Sequence, residues 1–212
     1  LASVGGYTVS NSVIERIPEL EHGKITWFYE DSAGKFWIGH EYGLFCREAG
    51  QIRQVTDPAL NRLNSCHFTC YYAARDGTLW LGTSGGIVRH QAGRFGAVTS
   101  EDGLAADYVD RILEDAHGNL WLAGRDGFFY VSARQLHDVA SGRQERLISH
   151  RVEPIEGVPV SPTHPKGLLA EDGTMWMAAK RGVIRVSPEP WARPVPPAVQ
   201  IERVRVDGKT LS

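Results

Sequence analysis

The chain is short of what several functional classes require. No apolar run approaches the roughly 20 residues needed to cross a bilayer. The N-terminus has neither an initiator Met nor a signal-peptide pattern, so the chain reads as a piece of a longer protein and says nothing about compartment through a targeting signal. There is no excess of positive charge: Lys and Arg total 23 against 25 Asp and Glu, the net charge is -2, and no basic cluster stands out. That balance gives no general attraction to phosphate backbones or anionic lipid, so neither nucleic acid nor direct membrane contact is expected. Cysteine is limited to three, Cys46, Cys66 and Cys70, with no CxxC spacing, which suggests neither a zinc site nor a disulfide framework. Cys66 and Cys70 would lie roughly 13 Å apart along a strand, too far to bridge each other. Buried free thiols are expected, and a Cys46 to Cys70 bridge stays open.

Catalytic signatures are also missing. The eight histidines never fall at the three-to-five spacing of a local metal pair, and no GxSxG, HExxH, phosphate-binding glycine loop or Cys/His nucleophile pair occurs. No catalytic residue, metal or cofactor is therefore expected. With 42% hydrophobic and 23% charged residues, the composition is that of an ordinary soluble globular protein.

What the chain does have is a repeat. Four segments share a frame of Gly, any residue, apolar, Trp, apolar, four residues, Gly, apolar: GKFWIGHEYGL from Gly34, GTLWLGTSGGI from Gly77, GNLWLAGRDGF from Gly118 and GTMWMAAKRGV from Gly173. Trp37, Trp80, Trp121 and Trp176 stand at intervals of 43, 41 and 55 residues. Periods of about 40–50 belong to propeller blades, and the longer last interval implies an inserted loop.

Each copy reads as short strands. In the third, residues 109–114 form an inner strand, a turn follows, residues 120–123 return as the second strand, and residues 128–131 form the third. In the second and fourth copies the first turn tightens to Asp76-Gly77 and Asp172-Gly173, a pair suited to a two-residue hairpin. Asp31, Asp76, Asp115 and Asp172 recur in these turns, where an Asp caps its own backbone. The triplets around each Trp are apolar without a break, as suits a strand covered on both faces between neighbouring blades. Core packing, rather than ligand stacking, is the expected role of the indoles.

These residues resemble the two-component regulator propeller repeats of periplasmic or extracellular sensor regions in bacterial signalling receptors. The third copy carries the resemblance most fully: EDGLAADYVDRILEDAHGNLWL from Glu101 has the "DGL" lead-in, an apolar inner strand and "EDxxGxLW". Residues 132–136, the insertion after them and EDGTMWMAAKRGVIRVSPE are similar to the last two blades of such propellers. Residues 195–211 resemble the opening strand of the immunoglobulin-like domain that follows. Ala123 and Ala178 stand where the pattern has Gly, and the first copy has no clear lead-in.

The resemblance implies an all-β β-propeller segment of four consecutive four-stranded blades in an open arc. Residues 1–24 would be a remnant of a preceding blade, 25–190 the four blades, and 191–212 a Pro-rich linker with the first immunoglobulin-like strand. It further implies a ligand-sensing, non-catalytic part of a membrane-anchored receptor, outside the cytoplasm. The alternative is a propeller enzyme of lyase or lactonase type with a channel-face site, which fold alone does not exclude.

A ligand is expected on the rim made by the loops between second and third strands and by the lead-ins to the inner strands. Loops at one rim of a rigid scaffold are where binding groups collect. His40, Glu41, Tyr42, Thr83, Ser84, Arg125, Asp126, Lys180 and Arg181 lie on the former, and His67 and Tyr108 on the latter. This mixture of donors, acceptors and aromatics suits a polar small molecule such as an oligosaccharide. The apolar end faces of an open arc would favour a homodimer.

Overall fold

The computed structural model describes residues 6–10, 13–125, 127–152, 167–179, 182–187, 204–206 and 209–211. A hairpin of β1 (Gly6–Ser10) and β2 (Val13–Ile17) leads through a 3-10 turn (Pro18–Leu20) into the first blade, β3 (Ile25–Glu30), β4 (Phe36–His40), β5 (Gly43–Glu48) and β6 (Gln51–Gln54). The second blade is β7 (Phe68–Ala73), β8 (Leu79–Thr83), β9 (Gly86–Gln91) and β10 (Arg94–Val98). The third is β11 (Arg111–Glu114), β12 (Asn119–Gly124), β13 (Gly127–Ser132) and β14 (His150–Val152), with helix α1 (Ala133–Ala140) between its last two strands. The fourth, three-stranded among the described residues, is β15 (Gly167–Leu169), β16 (Met175–Ala179) and β17 (Gly182–Val186). A short hairpin, β18 (Val204–Val206) with β19 (Lys209–Leu211), follows.

Within every blade the strands pair antiparallel in chain order. The first strands β3, β7, β11 and β15 each pack on the next, so the inner strand comes first, as the sequence implies. Among the described elements, no strand of the first blade packs closely on the fourth, and the four blades form an unclosed arc. The stack is stitched near its axis: the Thr26 hydroxyl donates to the Phe68 carbonyl and that of Thr69 to the Val109 carbonyl. Both threonines sit where the inner strand shifts register against its neighbour.

The unbroken apolar triplets divide their side chains between two interfaces, because successive strand residues point to opposite faces. Trp37 packs with Leu79 and Leu81 of the second blade, Trp80 with Leu120 and Leu122 of the third, and Trp121 with Met175 and Met177 of the fourth. Each Trp therefore faces the following blade, while its two neighbours face the preceding one. Ile38 of the first copy completes the pattern by packing on Leu20 ahead of it. The fourth copy breaks it: Trp176 is 41% exposed, and Leu168 and Val183 beside it are exposed too.

The first turn of every blade is the same three-residue loop. Glycine amides donate back to the carbonyls of Asp31, Ala74, Asp115 and Ala170 at 2.9–3.2 Å, and those four residues donate across to residues 35, 78, 119 and 174 at 2.8–3.0 Å. Gly34, Gly77, Gly118 and Gly173 have φ of 75–81°, the left-handed position that closes such a loop. The two-residue hairpins expected in the second and fourth copies are thus replaced by this longer loop. What differs between copies is the place of the Asp. Asp31 and Asp115 open the turn and accept from the indole N–H of Trp37 (2.9 Å) and Trp121 (2.8 Å) as well as from two backbone amides each. Asp76 and Asp172 stand two positions later and accept from the amides of Thr78 and Thr174.

The insertion foreseen from the long repeat interval is α1 and the segment after it. Leu136 and Val139 bury one helix face in the core shared by the second and third blades. The helix lies across β10, where a side chain on Gly96 would come within 1.9 Å of the Ala140 carbonyl oxygen. All three cysteines are free, and burial pushes the Cys70 thiol up to about 12.

Candidate functional site

The rim residues are held chiefly within their own blades. The carboxylate of Glu41 accepts the Lys24 amide at 3.3 Å, the Ser84 amide donates to the His67 carbonyl at 3.0 Å, and the Ser84 hydroxyl donates to that of Ser65 at 2.6 Å. The guanidinium of Arg125 lies over the Tyr108 ring, 4.2 Å from its centre. Tyr42, 60% exposed, lines a 380 Å³ cavity with Gln54, Asp57, Asn61 and Phe68 where the first blade passes into the second. Asp126, Lys180 and Arg181 lie outside the described residues.

Two of the rim residues are not available to a ligand. His40 and Thr83 end their strands pointing inward and are almost wholly buried. The Thr83 hydroxyl donates to the Gly86 carbonyl (2.8 Å) and accepts the Gly85 amide (3.0 Å), closing its own turn. His40 accepts the Tyr42 amide on Nδ1 at 3.1 Å, and burial lowers its affinity for a proton. Both are the last strand residue before the turn, where alternation directs the side chain into the blade.

A larger cavity than the one at Tyr42 lies on the opposite face, among the Asp-Gly turns of the described residues. Its volume is 1170 Å³, somewhat above the usual range of ligand pockets, about 300–1,000 Å³. Tyr72, Arg75, Asp76 and Trp80 come from the second blade, Glu114, Asp115 and Gly118 from the third, and Leu169, Glu171 and Gly173 from the fourth. The insertion adds Arg134, His137, Asp138 and Arg143. The site is therefore built partly by a segment outside the repeat frame, and two of the turn acids read as backbone caps, Asp76 and Asp115, form part of its wall.

Its side chains are organised by hydrogen bonds. The buried Arg89 donates from Nε to His137 Nδ1 at 2.9 Å and to Gln91. That bond leaves His137 Nδ1 as an acceptor, and burial together with the charges of Arg89 and Arg143 keeps the ring below the usual histidine range. Arg143 pairs with Asp138 at 2.7 Å. The Tyr72 hydroxyl donates to Glu114 at 2.7 Å, and burial plus this bond raise its pKa. No group of three or more His, Cys, Asp or Glu side chains among the described residues is placed to hold a metal. Nor is any helix among them long and apolar enough to cross a membrane.

The two-component regulator propeller family matches residues 19–42 and 62–85, which span the inner and Trp strands of the first two blades rather than the third copy. No curated protein matches the chain by sequence. Among solved structures, the extracellular domain of BT4673 from B. thetaiotaomicron, proposed as a hybrid two component system, is 21% identical with a TM-score of 0.59, over 80% of this chain and 23% of that one. The corresponding domain of BT3049 from the same organism is 17% identical with a TM-score of 0.58, over 85% and 24%. PorZ, a surface component of the type-IX secretion system of Porphyromonas gingivalis, is 14% identical with a TM-score of 0.58, over 79% and 26%. These likenesses are likenesses of fold, and the chain spans about a quarter of the length of each.

Proposed function

From the premise that residues 19–42 and 62–85 are two-component regulator propeller repeats, we propose that this chain is a ligand-sensing, non-catalytic segment of the extracellular or periplasmic region of a bacterial signalling receptor. One observation carries the reading: an arc of stacked blades holds polar and aromatic loop residues, among them Glu41, Tyr42, Ser84 and the Arg125–Tyr108 pair, on the rim of its first three blades. A rigid scaffold with polar loops is suited to bind a polar small molecule such as an oligosaccharide and to pass on the change in loop packing. The test is a ligand screen on the extracellular region that contains this segment, followed by response measurements in the whole receptor. Alanine at Tyr42, Arg125 and Arg181 should weaken the response at least several-fold, whereas Arg47→Ala on an exposed outer position of β5 should not. Equal responses in both sets would remove the rim from the mechanism.

A further inference from the structure

The 1170 Å³ cavity on the turn face has walls of opposite charge. The wall made by the second blade's turn and the insertion carries Arg75, Arg134 and Arg143, with the buried Arg89 directly behind His137, against two carboxylates, Asp76 and Asp138. The wall made by the third and fourth blades carries Glu114, Asp115 and Glu171 and no cation among its described lining residues. Among the described residues the first wall thus has a formal excess of two positive charges, counted as the three lining arginines and Arg89 behind them less two acids, and the second has three negative charges.

Many of these groups already have protein partners. Asp115 is held by its turn and by Trp121, Glu114 by Tyr72, Asp76 by the Thr78 amide, and Asp138 by Arg143. Glu171 and Arg75 are exposed and stand on opposite walls. Arg89 is the notable case, a buried guanidinium whose hydrogen bonds run to a neutral imidazole and an amide rather than to a carboxylate. A buried cation with no carboxylate hydrogen-bonded to it, and only the charge of Asp76 acting on it through space, favours further negative charge in the space beside it.

We propose that this cavity binds a small ligand carrying separated charges of both signs, of the class of short peptides, its anionic end toward Arg75 and the His137 side and its cationic end toward Glu171. The inference rests on the sensing role proposed above, and it places the site on the face opposite the rim. A neutral sugar would meet the same hydrogen-bonding groups but gain nothing from the separation of charge, and a simple anion would face the acidic wall. Charge complementarity at both ends fixes orientation as well as affinity.

The test is a titration of the intact chain, followed by amide resonances, with three probes: zwitterionic trialanine, its N-acetylated and C-amidated form, and maltotriose. Trialanine should shift resonances of Ala74, Glu114 and Glu171, and blocking its two charges should weaken binding by about tenfold or more. Arg75→Gln and Glu171→Gln, both at exposed positions where the fold is not at stake, should each weaken trialanine binding by about tenfold and leave the blocked form unaffected. Maltotriose binding here with indifference to both substitutions would overturn recognition by separated charge while leaving the sensing role intact. If no probe shifts any lining residue up to about 10 mM, the site itself is overturned, and the rim variants alone then decide the sensing role.

Discussion

The third and fourth blades carry the same Trp-centred strand, yet Trp121 is 2% exposed and Trp176 41%. The strands differ little in local structure, since β12 and β16 pair in the same way with the strands on either side. What differs is what lies across each indole: Met175 and Met177 cover Trp121, while Leu168, Trp176 and Val183 together face outward. Burial of the repeat's central residue is thus conferred by the following blade, so each interface is stabilised by a neighbour. Stacked repeats gain stability in this nearest-neighbour fashion.

The contrast can be broken by truncation. Trp121→Ala should cost about 3–5 kcal/mol, since removing a fully buried aromatic leaves a cavity between blades. Trp176→Ala should cost about 1 kcal/mol or less, because much of that ring is already in water. Urea denaturation of the two variants measures the difference. Equal costs would show that the indole stabilises its own blade rather than the joint between blades.

A second contrast, between odd and even copies, sharpens the first. Asp115 accepts from two turn amides, the Asn119 side chain and the Trp121 indole, whereas Asp76 accepts from the Thr78 amide. Asp115→Ala should therefore cost about 2–3 kcal/mol and Asp76→Ala about 1 kcal/mol, as expected for hydrogen bonds to a charged acceptor. Thermal melts of the pair would settle it, and a reversed order would mean that the indole bond adds nothing to the turn.

Much of the fold was legible because its signals are periodic. The Trp intervals announced blades, and the unbroken apolar triplets announced strands with two covered faces, which the alternation of Trp121 against Leu120 and Leu122 explains. The insertion was legible as extra length but not as a helix, since Leu136 and Val139 alone mark an apolar face in an eight-residue element. The turns were misjudged in the second and fourth copies because Asp-Gly looks like a complete two-residue loop, while the residue that closes it, Ala74 or Ala170, has no turn signature. For the candidate site, loop position put Tyr108 and Arg125 on one rim but gave neither the stacking of one on the other nor the inward turn of His40 and Thr83. The turn-face cavity was not legible at all: it joins three blades to the inserted helix, and the bond that backs its wall, Arg89 to His137, links residues 48 positions apart in sequence.

The smallest expected effect concerns the first copy, where Asp31 plays the part of Asp115. Burial works against its ionised form, but bonds from the Trp37 indole and the Lys35 and Ala33 amides outweigh it and hold the carboxyl below its usual range. A carboxylate depressed in this way contributes stability that is present above the unfolded-state value near 4 and is lost as pH falls through the folded-state value. Asp31→Asn keeps one acceptor oxygen and removes the charge. Its melting temperature should therefore lie slightly below that of the parent chain from pH 7 to 5, by about 2 °C. The gap should close as pH falls below about 4, where the parent loses the same charge. A gap of constant size down to pH 2.5 would show that the carboxylate charge at this turn is not what ties Trp37 to its blade.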